Sequence, residues 1–244
     1  MIEITNLVWR SLKWRFQNPV TIVMTMIQPL MWLLLFANLF SASNNNYMSF
    51  ILAGILVMAI LFSSGMSGIA NYSTRENGSY YRVIISPTKR TSIIIAHMID
   101  AMVLSGIQIM VLLVLSFLFG VRFETGIIGI LSICVLLVAT IAFVSTFSYL
   151  LSIVISDENG FIAVVNTFTL PLFFLSTALM TKESMPKIFR IIVSFNPFTY
   201  VVDSLRNILT DNAIHWQLYA LSVGIVVILA ILFSVITSKK LKMN

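Results

Sequence analysis

A serine set among glycines, Gly65-Met66-Ser67-Gly68, is the one place where covalent chemistry could be written on this sequence. Its hydroxyl would need a base within hydrogen-bond reach. The two histidines, His97 and His215, fall at the inner approach to one apolar run and the outer approach to another, so neither is expected at the depth of Ser67. Metal chemistry would need clustered His, Cys and carboxylates, and two histidines 118 positions apart with a single cysteine do not supply that. Cys134, inside an apolar run, reads as a small core hydrophobe. No G-x-x-x-x-G-K-[ST] phosphate loop occurs. Asp100 is the only acidic residue near a span, and it sits at the inner end rather than at mid-membrane, where a proton-coupled carrier would hold a carboxylate. The cluster Ser63, Ser64, Gly65, Ser67 and Gly68 reads instead as a face on which helices pack closely.

The elements that must position these residues follow from composition. Of 244 residues, 59% are hydrophobic and 10% charged, against about 25% charged in a soluble domain. A water-soluble globule and a disordered chain are both excluded. Six apolar runs stand out: Val20–Phe40, Met48–Ala70, Ala101–Val121, Gly126–Ile155, Gly160–Met180 and Leu218–Thr237. The fold class expected is all-α integral membrane, because lipid offers no partner for unpaired backbone groups and no alternating strands are present. The net charge of +6 does not point to nucleic acid, since the bases sit in the gaps between runs. With both termini cytoplasmic, ten of the fifteen Lys and Arg fall inside and five outside, the bias expected of cytoplasmic loops.

Three segments do not span. In residues 1–18, Ile4, Val8, Leu12 and Phe16 form an i, i+4 ladder opposite Asn6, Arg10, Lys13 and Gln17, which predicts an amphipathic interfacial helix. In the inner loop 71–92, Ser73-Thr74-Arg75-Glu76 fits a capping box that would open a short helix ending before Ser86-Pro87. Gly78 would then serve close approach by another backbone or side chain, and exposed Tyr80, Tyr81, Val83 and Ile84 suit a docking element. Outside, Met185–Phe195 and Phe198–Leu209 are too short to cross and are broken at Asn196-Pro197, which predicts a re-entrant helical hairpin.

Two motifs give the chain a family likeness. Arg75-Glu76-Asn77-Gly78-Ser79 with Arg82 and Ser86-Pro87, and Asn196-Pro197-Phe198-Thr199-Tyr200 followed by Asp203 and Arg206, resemble the permease subunits of type 2 ABC transporters. The first is similar to that family's R-E-x-G-[TS] stretch, with Tyr81 standing where many relatives carry a glutamate. The resemblance implies a non-enzymatic permease without a cofactor of its own, in a prokaryotic cell membrane. It would pair with a second copy or a close paralogue and with two copies of a cytoplasmic ATPase that binds ATP and magnesium. Arg75, Glu76, Gly78, Ser79, Tyr81, Arg82 and Pro87 would couple to the ATPase; Asn196, Pro197, Tyr200, Asp203 and Arg206 would shape the outer hairpin. A substrate path between the copies would be lined by the second and fifth spans, with Ser64, Ser67, Asn166, Thr167, Thr169 and Ser176 as candidates. The expected cargo is an amphiphile: a drug, antibiotic, antimicrobial peptide or lipid. A secondary transporter or channel is the alternative reading. The G-x-S-G run also has the form found in rhomboid-type intramembrane proteases, a remote third reading.

Overall fold

A computed structural model describes residues 2–17, 19–40, 47–76, 78, 90–119, 121, 125–210 and 214–243. Among the described residues every regular element is a helix: α1 (Ile2–Phe16), α2 (Pro19–Phe40), α3 (Tyr47–Gly65), a 3-10 turn (Met66–Gly68), α4 (Ile69–Glu76), α5 (Arg90–Leu118), α6 (Gly126–Val154), α7 (Glu158–Phe174), a 3-10 turn (Lys182–Ser184), α8 (Lys187–Phe195), α9 (Pro197–Thr210) and α10 (Trp216–Met243).

Four helical stretches are long and apolar enough to cross a membrane: Met48–Arg75, Arg90–Leu118, Gly126–Val154 and Trp216–Leu241. Counted together, α8 and α9, which meet at 93°, would make a fifth. The centre of the bundle is α3, where every side chain from Ile51 to Leu61 is buried. A helix apolar on all sides is a core helix, and α3 is enclosed by α2, α5, α6 and α9, while α6 and α10 form the most extensive helix pair. α1 packs against α5; Ile4, Val8 and Leu12 are half-buried, and Asn6, Lys13 and Gln17 face out.

Several expectations change. The third span begins at Arg90 rather than Ala101, so Asp100 lies within a helix and is buried. The carboxylate does not end the helix because Ile93, Ile94, Met98 and Ile99 continue the apolar pattern before it. Ser73 is not an N-cap: α3, the 3-10 turn and α4 follow one another from residue 47 to 76, and Ser73 sits inside α4. Thr74 gives its hydroxyl proton to the Ala70 carbonyl within the same helix. That helix ends at Glu76, and Gly78 follows at φ +66° with its N–H bonded to the Arg75 carbonyl. A Cβ on Gly78 would meet nothing within 4 Å in this chain, and the glycine takes the left-handed turn that stops a helix. Cys134 faces outward on α6 among exposed Ile130, Leu131, Val135 and Val138, not into the core.

The fifth run departs most. α7 stops at Phe174, and residues 175–181 are turns and irregular chain. Pro171 lies in its last turn, and the last backbone bonds there are Leu175 N–H to the Pro171 carbonyl and Ser176 N–H to the Phe173 carbonyl. At about 1.5 Å per residue, the 17 residues of α7 reach roughly 25 Å, short of a hydrocarbon core of about 30 Å. At the other end Asp157 caps the helix, its Oδ2 accepting from Gly160 N–H at 2.7 Å, with Glu158 in the first turn. The acids between the fourth and fifth runs therefore start a helix, where negative charge is favoured.

Candidate functional site

Ser67 and His97 do meet. Ser67 Oγ lies 3.1 Å from His97 Nε2, contrary to the expected separation in depth. The longer α5 is what carries His97 alongside the 3-10 turn. The serine proton, however, goes to the Ser64 carbonyl at 2.6 Å. A hydroxyl has one proton to give, so toward His97 the serine accepts and the imidazole donates. That is the reverse of a nucleophile activated by a base. The His97 ring also packs against Tyr149, centroids 4.7 Å apart and planes tilted by 32°, which fixes it in the packing.

The neighbouring small residues hold helices together. Ser64 Oγ lies 2.8 Å from Ser105 Oγ, with Ser63 also in reach. Ser148 of α6 reads the 3-10 turn on both sides, donating to the Gly65 carbonyl and accepting from Gly68 N–H. A Cβ on Gly68 would fall 2.8 Å from both Phe161 Cζ and the Ser148 carbonyl. Ser64 and Ser67, named as substrate-path candidates, are thus fully buried between α3 and α5. Ser176 and Thr169 are buried too, whereas Thr167 is exposed and Asn166 half-exposed on α7. These six do not form one surface. Beside them the chain leaves an apolar cavity of about 110 Å³ bordered by Gly65, Phe143, Phe147, Phe168, Phe198 and Phe233, among others.

Toward the inner loop, α4 is fastened to the end of α6 and to the turn that follows it. Asn71 Nδ2 donates to Ser152 Oγ at 3.1 Å, and Tyr72 donates its hydroxyl to the Ile155 carbonyl at 2.8 Å. The Tyr72 ring rests on Phe161 of α7, and the Arg75 guanidinium lies 5.6 Å from the Tyr72 ring centre. Of the coupling residues, Arg75, Glu76 and Gly78 close this helix. Ser79, Tyr81, Arg82 and Pro87, and the short helix expected around them, lie outside the described residues.

The outer motif is built almost wholly of side chains that bond backbone carbonyls. Asn196 caps α9 with Oδ1 on Phe198 N–H and sends Nδ2 to the carbonyls of Leu172 and Leu175, at 2.6 and 2.8 Å. Pro197 opens α9, the position where its missing N–H costs nothing. Thr199 and Tyr200 donate to the Val193 and Ser194 carbonyls at the end of α8. Asp203 accepts from the Thr177 hydroxyl at 2.6 Å, and Arg206 donates to the Thr177 carbonyl at 2.6 Å while pairing with Asp203 at 3.5 Å. The guanidinium lies 3.7 Å over the Phe50 ring, so α3 joins the cluster. Asp203 and Arg206 are three apart on one helix, a spacing at which side chains meet, whereas their partners Thr177 and Phe50 are distant in sequence and no local signal links them to the pair. On α8 the apolar face is turned outward, with Phe195 84% and Ile188 73% exposed.

Fold and site together define a multi-pass helical membrane protein. The family profile described as ABC-2 type transporter matches residues 2–210, and the chain belongs to that family. It is similar to a transport permease, ycf38, of Cyanophora paradoxa, 28% identical over 238 residues and covering 90% of this chain and 81% of the relative. The Porphyra purpurea ycf38 permease is 29% identical, covering 86% and 75%. The daunorubicin resistance ABC transporter permease protein DrrB1 of Streptomyces coeruleorubidus is 23% identical, covering 91% and 81%. Membrane subunits of this family are not catalytic; the ATPase is a separate subunit and the partner of this chain.

Proposed function

We propose that this chain is the membrane path of an ATP-driven exporter that moves an amphiphilic substrate, of the drug or antibiotic kind, out of a prokaryotic cell. Two copies, or one copy and a close paralogue, would join two ATPase subunits holding ATP and magnesium, with both termini cytoplasmic and six spans. The span count rests on adding α2, 22 residues long, and α7 with its irregular outer end to the four long stretches. The drug-like cargo is supported by the likeness to the daunorubicin resistance permease.

The observation that carries the reading is the family motif at the end of α4. Arg75, Glu76 and Gly78 end a helix that Asn71 and Tyr72 tie to the end of α6 and the turn that follows it. A push on residues 77–89 would reach α7 through that tie. Glu76 at a helix C-terminus opposes the helix dipole, so Glu76→Ala should leave the helix unharmed or steadier. Loss of ATPase binding in that variant would report a partner contact. Gly78→Leu is a poor probe, since the strain of a left-handed turn penalises it with or without a partner. Co-purification of the ATPase from membranes is expected to fall about tenfold for Glu76→Ala and Arg82→Ala, the loss of one good contact. Undiminished co-purification with both variants would remove the inner loop as the docking element.

A further inference from the structure

The segment after α7 is a problem of backbone chemistry. Irregular chain at membrane depth is tolerated only where protein or water satisfies its polar groups. The last regular helical bond runs from Leu175 N–H to the Pro171 carbonyl, Ser176 N–H turns back to Phe173, and the carbonyls of Leu172, Leu175 and Thr177 take side-chain donors instead. Two of them, Leu172 and Leu175, take both N–H bonds of one side-chain amide, that of Asn196. A third, Thr177, takes Arg206, while the Thr177 hydroxyl is held by Asp203. At the next residue α3 comes so near that a Cβ on Gly54 would run into the Ala178 carbonyl. All three donors and acceptors stand on α9 or at its cap, so α7 ends in the grip of a different helix.

We infer that Asn196, Asp203 and Arg206 are positioning residues that latch the unwound outer end of α7 to α9, making α7 and the outer hairpin move as one body during export. The latch stands on hydrogen-bond geometry; its part in transport rests on the export reading above. α7 is tied at its inner end as well, through Phe161 against Tyr72. A displacement begun near the inner loop is thereby delivered to the outer hairpin through one short helix. Without the latch, the inner end still moves and the outer end no longer follows.

The test uses the full chain with its ATPase in lipid nanodiscs and vesicles. Amide hydrogen exchange over residues 172–181 reads the latch itself. Asn196→Ala and Arg206→Ala should each raise exchange there about tenfold or more, because buried carbonyls lose their donors, while α5 and α6 exchange as before. Arg206→Lys, which keeps one donor, should restore most of the protection. In vesicles, with daunorubicin as the probe, both alanine variants should hydrolyse ATP at near the wild-type rate but move about tenfold fewer molecules per ATP. A merely structural defect would lower hydrolysis and protein yield together and leave that ratio unchanged. If either alanine variant fails to accumulate, Thr177→Val, which removes only the hydroxyl bonded to Asp203, must show the same local rise in exchange. Unchanged exchange at 172–181 in the variants overturns the latch, whatever transport does. Raised exchange with an unchanged ratio of transport to hydrolysis overturns its positioning role. Absence of ATP-driven transport by the wild-type assembly would count against the export reading and leave the exchange result to judge the latch.

Discussion

The hydroxyl of Ser67 has a single proton, and its delivery to the Ser64 carbonyl settles what His97 can do there. The same turn makes a packing prediction. Gly68→Ala should destabilise the chain by about 1–3 kcal/mol, since neither Phe161 nor the Ser148 carbonyl can yield freely. Gly106→Ala on α5, where a Cβ meets nothing within 4 Å, should be neutral or stabilise by up to about 1 kcal/mol. Thermal unfolding of the two variants in one detergent checks the contrast; equal midpoints would mean the close packing of α3, α6 and α7 is not what Gly68 serves. The packing role of this serine–glycine cluster was legible from residue size. The Ser67–His97 contact was not, because it depends on α5 starting at Arg90, and an acidic residue within the apolar pattern hid that start. The capping box failed for a related reason: Ser73 and Glu76 have the right spacing, but the apolar run before them already carries a helix through.

Among the elements, α8 shows its environment most openly. Ile188, Ile191, Ile192 and Phe195 lie exposed on a nine-residue helix. Exposed apolar surface of this kind belongs against lipid. Single cysteines at Ile188, Ile191 and Phe195 should react at least about tenfold more slowly with a water-soluble maleimide than one at Glu183, if burial in the interface is worth the transfer of even part of a side chain. Equal rates at all four positions would make the hairpin a solvated loop. The corner itself was readable, since Asn196-Pro197 between two short apolar stretches forces a break. What the amide of Asn196 does could not be read, because its acceptors lie 21 and 24 residues away at the end of another helix. The run 160–180 looked like a full span; its last third is a loop held by Asn196, Asp203 and Arg206.

For the whole molecule, composition and the spacing of apolar runs were enough to give an all-α membrane protein, and the two motifs were enough to indicate its family. The assembly is where sequence and single-chain geometry thin out, since Ser64, Ser67 and Ser176 face inward and only Thr167 and Asn166 of the path candidates reach a surface. The central claim is that energy enters from a separate subunit. It is tested most directly by uptake of daunorubicin into inside-out vesicles containing this chain, with and without its ATPase, under ATP or under a proton gradient alone. Accumulation is expected only with both ATP and the ATPase present, and none from the chain by itself. Accumulation by the chain alone, driven by the proton gradient and indifferent to ATP, would contradict it.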